Sequence, residues 1–83
     1  MPPTKFATLS RLLTDLGFTR RADATFVRFD RTDANAWFLF PPYADGEEVM
    51  PADLVGVRHL LDMRGLLTRE QFEERLWRTF IAG

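Results

Sequence analysis

The stretch Ala36-Trp37-Phe38-Leu39-Phe40-Pro41-Pro42-Tyr43 is the densest apolar run in the chain, and its reading decides the fold. A β-strand alternates its side chains with a period of 2, so Trp37 and Leu39 share one face and Phe38 and Phe40 the other. Both rows are bulky, which is the pattern of a strand covered on both sides. Residues 36–40 are therefore expected to be the central strand on which the rest packs. Pro41 has no N–H to give to a ladder, so the Pro-Pro pair ends the strand and turns the chain away.

Working back from this run, Thr25 to Arg31 alternates as a second strand, with Val27 and Phe29 on one face and Phe26, Arg28 and Asp30 on the other. The polar segment Arg31 to Asn35 joins the two as a hairpin. Phe18 to Arg21 is a short candidate for a first strand. Before it, Leu9, Leu12, Leu13 and Leu16 recur at helical spacing and predict a helix over residues 5–16, stopped by Gly17 with Phe18 folding back on it.

Working forward, Pro41 to Met50 is a linker carrying an Asp45-Gly46 turn and the acidic pair Glu47-Glu48. Pro51 suits the first position of a helix because its missing N–H costs nothing there. That helix is predicted over residues 51–64, with Leu54, Val57, Leu60 and Leu61 facing the core and Val55, His59 and Met63 on another face. Gly65-Leu66 repeats the stop seen at Gly17-Phe18. Thr68 and Gln71 form a capping box and Leu67 with Phe72 a hydrophobic staple, so a third helix starts at Thr68, with Phe72, Leu76 and Phe80 in register. The expected fold is α+β in the order α-β-β-β-α-α: a three-stranded antiparallel sheet with helices packed on one face, in a single domain over residues 1–83.

Composition narrows the function. With no cysteine and one histidine among 83 residues, disulfides, thiolate metal sites and a cysteine nucleophile are excluded, and no metal or cofactor is implied. No apolar run reaches the ~18 residues that cross a bilayer, and the start lacks the apolar core of a signal peptide, so a cytoplasmic protein without membrane contact is expected. The net charge of −1 argues against a strong non-specific grip on nucleic acid. It is unevenly spread: residues 1–31 sum to +3, residues 32–53 to −5 and the remainder to +1.

Leu16-Gly17-Phe18, the strands Thr25 to Phe29 and Trp37 to Pro42, and the closing run from Leu54 through Arg64-Gly65-Leu66-Leu67-Thr68 to Phe72 together resemble the HicA/YcfA-like family. The resemblance spans residues 9–76. It implies a fold like the double-stranded RNA-binding domain and a role as the toxin half of a bacterial toxin–antitoxin pair that cleaves RNA. That family places a catalytic histidine in a Gly-Ser-His stretch at the start of its second strand, and the matching positions here are Ala24, Thr25 and Phe26. A phenyl ring cannot exchange protons, so the family's general acid–base route is absent at that position.

His59, with Asp62 three residues on, is the remaining catalytic candidate, and a structural histidine is the simpler reading because spacing indicates no further partner. Arg20, Arg21, Arg28 and Arg31, interleaved with phenylalanines, form a candidate nucleic-acid strip, weighed against arginines that merely face solvent beside a core row. Phe26, Trp37 and Phe38 are the candidate interface residues, expected on the open side of the sheet. The resulting expectation is a non-catalytic HicA-like domain that binds RNA or protein. The alternatives are an interaction or homodimerisation module without a nucleic-acid role, and an endoribonuclease using a different residue. A second copy, an antitoxin-like protein and RNA are the partners these readings name.

Overall fold

The computed structural model describes residues 1–82 and runs α1 (Phe6–Asp15), β1 (Thr19–Ala22), β2 (Val27–Arg31), β3 (Ala36–Phe40), α2 (Pro51–Met63) and α3 (Arg69–Ala82), with a 3-10 turn at Thr32–Ala34 between β2 and β3. The strands make an antiparallel meander in the order β1-β2-β3. The α+β layout is the expected one. The place of Ala36–Phe40 is not: β2 is the central strand and β3 an edge. The alternation correctly separates the rows, because Ala36, Phe38 and Phe40 are buried. Trp37 and Leu39, however, stay 54% and 55% exposed, so the outer row lacks the second cover that two bulky rows predict.

Helix ends follow side-chain chemistry closely. Gly17 takes φ +90°, its N–H bonds Thr14 O, and Phe18 N bonds Leu13 O, both at 3.0 Å. Gly65 takes φ +69° and donates to Asp62 O, while Leu66 donates to Leu61 O. Both are Schellman stops, and the left-handed backbone is what glycine permits without a Cβ penalty. At α3, Thr68 N donates to Gln71 Oε1 at 3.0 Å and Gln71 N to Thr68 Oγ1 at 3.1 Å, the two halves of the capping box.

One core lies between the sheet and the helices. Val27 and Phe29 of β2 and Phe38 and Phe40 of β3 meet Phe6, Leu9 and Leu13 of α1, Leu54, Val57 and Leu61 of α2, and Phe72 and Leu76 of α3. Phe6 sets edge to face against Phe29 and Phe40 and stacks on Tyr43 at 5.1 Å. Phe80, expected to continue the Phe72 and Leu76 row, is 51% exposed; it packs edge to face on Trp77 and borders a groove beside Pro3 and Thr4.

The start of α1 has no side-chain cap. The linker supplies backbone carbonyls instead: Phe6 N donates to Glu47 O at 2.8 Å and Ala7 N to Asp45 O at 3.0 Å. Val49 N returns a bond to Thr4 O, and Lys5 bridges Glu48. These contacts satisfy amides that every helix start leaves open. They also hold residues 45–49 against the N-terminal segment, on the helix side of the sheet.

Candidate binding face of the sheet

The open face is built by the register. Thr19, Asp30 and Trp37 stand opposite one another across the three strands, and Arg21, Arg28 and Leu39 form the next row. Arg28 organises it. Its Nε donates to Asp30 Oδ1 at 2.8 Å and its guanidinium lies 4.7 Å from the Trp37 ring centroid, a cation–π contact across the β2–β3 pair. Asp30 Oδ2 is covered and has no protein donor among the described residues. The face thus presents a rigid Trp37 and a Leu39 beside an ion pair, which is the mixture of aromatic anchor and polar rim found at protein contacts.

The structure divides the candidate arginines. Arg21 and Arg28 belong to the open face, whereas Arg20 and Arg31 turn to the helix side. Arg20 Nη1 donates to Ser10 Oγ at 3.1 Å and lies 3.7 Å from Asp45, with its guanidinium over Phe6. Arg31 Nη1 donates to Leu16 O at 2.9 Å, closing the end of α1, and its Nε donates to Asp33 at 3.2 Å. That hydrogen bond holds the Asp33 carboxyl below its ordinary pKa. The four do not converge.

The candidate interface residues also separate. Trp37 is on the open face. Phe38 belongs to the core row, packed 5.4 Å from Phe18 and 6.0 Å from Phe40, because its place in the alternation points it at the helices. Phe26 precedes β2 rather than lying within it, and is half-buried. The cause is Asp23, whose Oδ1 accepts from Thr25 N, Thr25 Oγ1 and Phe26 N, an Asx turn that takes the amides a longer strand would use. The Thr25 backbone N–H is the first reason, followed by its hydroxyl, that the Asp23 carboxyl is held below its ordinary pKa.

His59 is exposed on α2, in a shallow depression of about 170 Å³ with Val55, Arg58, Asp62 and Arg69. Arg58 is turned to Glu73 of α3 at 2.7 Å. Asp62 lines the same depression, with no hydrogen bond to His59 among the described residues. A depression of about 590 Å³ between α1 and α3 contains Arg11, Arg75 and Arg78. Arg75 is bound to Asp15 at 3.1 Å and Arg78 to Glu74, so most of its positive charge is neutralised locally.

Sequence reasoning missed Tyr43. Its hydroxyl donates to Asp53 Oδ2 at 2.6 Å and accepts from Met50 N at 3.1 Å, so it pins the linker to the start of α2. The signal was available: a lone tyrosine after a Pro-Pro strand end is an aromatic with a polar tip, suited to a core boundary. Compared with protein-family models, with curated proteins and with solved structures, the chain matches none of them.

Proposed function

We propose that this protein is a non-catalytic, HicA-like binding module whose open sheet face contacts another protein. The observation that carries the reading is the adjacency of Trp37 and Leu39, each more than half exposed on a strand whose other row is fully in the core. A sheet that spends large apolar side chains on the solvent side marks a contact surface, because those residues contribute nothing to the monomer's own core. RNA is the less supported partner. Two of the four candidate arginines are engaged by α1 and the 3-10 turn, leaving Arg21 and Arg28 on the face.

The test combines association and salt dependence. Leu39→Asp replaces an apolar contact with a charge outside the core, so the variant is expected to keep its folded circular dichroism and to lose association in sedimentation. Titration with single-stranded RNA is expected to show a shallow salt slope, near −1.4 in log–log form for two phosphate contacts at about −0.7 each. A slope several times steeper, with association unaffected by Leu39→Asp, overturns the protein-binding reading in favour of RNA.

A further inference from the structure

The two edges of the sheet are treated differently. β1, Thr-Arg-Arg-Ala, carries two arginines along its edge, the usual guard against strand addition. β3, Ala-Trp-Phe-Leu-Phe, has no charge, proline or interruption of register over its five residues. Its far side pairs with no strand among the described residues. Arg64 Nε donates to Asn35 O at 3.1 Å just before the strand, and among the described residues no hydrogen bond from outside the sheet reaches residues 36–40. Along this edge runs a groove of about 420 Å³ between β3 and α2, floored by Ala52, Gly56, Val57 and Leu60. A Cβ at Gly56 would meet nothing within 4 Å, so the helix leaves room beside the strand.

We infer that β3 pairs antiparallel with β3 of a second copy of this chain, joining two sheets into one of six strands. The inference rests on Trp37 and Leu39 being the contact residues proposed above, and adds which partner they meet and how. The strand is self-complementary about a two-fold axis through Phe38. In that register Ala36 faces Phe40 of the second copy and Trp37 faces its Leu39, twice over, so the two exposed apolar pairs close on each other across the outer face. Both alternations of ladder hydrogen bonding satisfy this register, because Phe38 opposes itself. Charge agrees with it. Arg64 binds Asn35 O just before the strand and Asp53 lines the groove at the other end, where it accepts from Tyr43, and an antiparallel partner brings each toward the other's opposite. A heterologous peptide has no such built-in match to a Trp-x-Leu row with oppositely charged ends.

Sedimentation equilibrium over a range of concentrations, with amide hydrogen exchange of β3 at the same concentrations, tests it on the full chain. The expected result is a mass rising to twice 9.6 kDa, with exchange of the β3 amides that do not bond β2 slowing as dimer forms. Because the chain has no cysteine, Trp37→Cys and Leu39→Cys provide a second readout: their mixture is expected to form disulfide dimers faster than either alone, since residue 37 faces 39. A chain that stays monomeric overturns the second copy as occupant; the open-face reading is then judged by the RNA titration alone, where a steep salt slope overturns it and a shallow one keeps it. A dimer whose outward β3 amides exchange at the monomer rate, or whose Leu39→Cys variant cross-links alone as fast as the mixture, overturns edge pairing in favour of face-to-face stacking.

Discussion

Tyr43 links three parts of the chain through one side chain. Its ring stacks on Phe6 and its hydroxyl joins Asp53 and Met50 N. Burial pushes the phenol above its ordinary pKa, and the hydrogen bond to Asp53 adds to the shift. The sign follows: the folded state holds the phenolic proton more tightly than the unfolded chain. This contribution to stability is fully present below the unfolded value near ~10 and is lost as pH rises through the higher folded value. As Tyr43 is the sole tyrosine, an ultraviolet titration follows it alone, and the folded protein is expected to ionise later than the denatured one. Tyr43→Phe removes a donor from Asp53 and an acceptor from Met50 N, and is expected to cost about 1–2 kcal/mol in chemical denaturation. A titration midpoint equal to that of the denatured chain would count against the hydrogen bond.

Among the elements, those whose boundaries depend on side chains were legible. Gly17-Phe18, Gly65-Leu66 and Thr68-x-x-Gln71 each state their hydrogen-bond pattern in residue types, and each forms as written. Thr68→Ala removes the acceptor for Gln71 N and is expected to lower stability by about 1 kcal/mol, read as a shift in denaturation midpoint with unchanged m-value. β3 was legible in its two faces and not in its neighbours. Period-2 alternation tells which side chains share a side; it carries no information on whether a strand has one partner or two. The dense apolar run therefore reads as central, although its outer row is open to contact. β2 begins at Val27 rather than Thr25 because a single aspartate takes the amides of Thr25 and Phe26 that the ladder would use.

At the scale of the molecule, the basic N-terminal segment and the acidic linker noted in the sequence meet at one point. Arg20 of the basic N-terminal part reaches toward Asp45 of the acidic linker at 3.7 Å, which reduces the basic strip that composition alone leaves in view. Among the described residues no helix is long and apolar enough to cross a membrane. The proposed lack of catalysis is checked directly: purified protein is expected to leave a single-stranded RNA uncut above background, and His59→Ala to change nothing. Cleavage abolished by that substitution would reinstate the nuclease alternative. The candidate site was legible only in part because arginines advertise charge without direction. Arg20 and Arg28 are alike in the sequence, and strand parity alone sends one to the helices and the other to the open face.

The backbone caps at the start of α1 bear on the order in which the chain acquires structure. Phe6 and Ala7 give their amides to carbonyls of Glu47 and Asp45, about forty residues later in synthesis. Lys5, at the N-cap, offers no side-chain substitute. Until the linker is in place, α1 is closed at its Gly17 end and uncapped at its beginning. Opening of the linker uncaps the first turn of α1, so the amides of Phe6, Ala7 and Val49 are expected to exchange with solvent as one unit although they stand far apart in sequence.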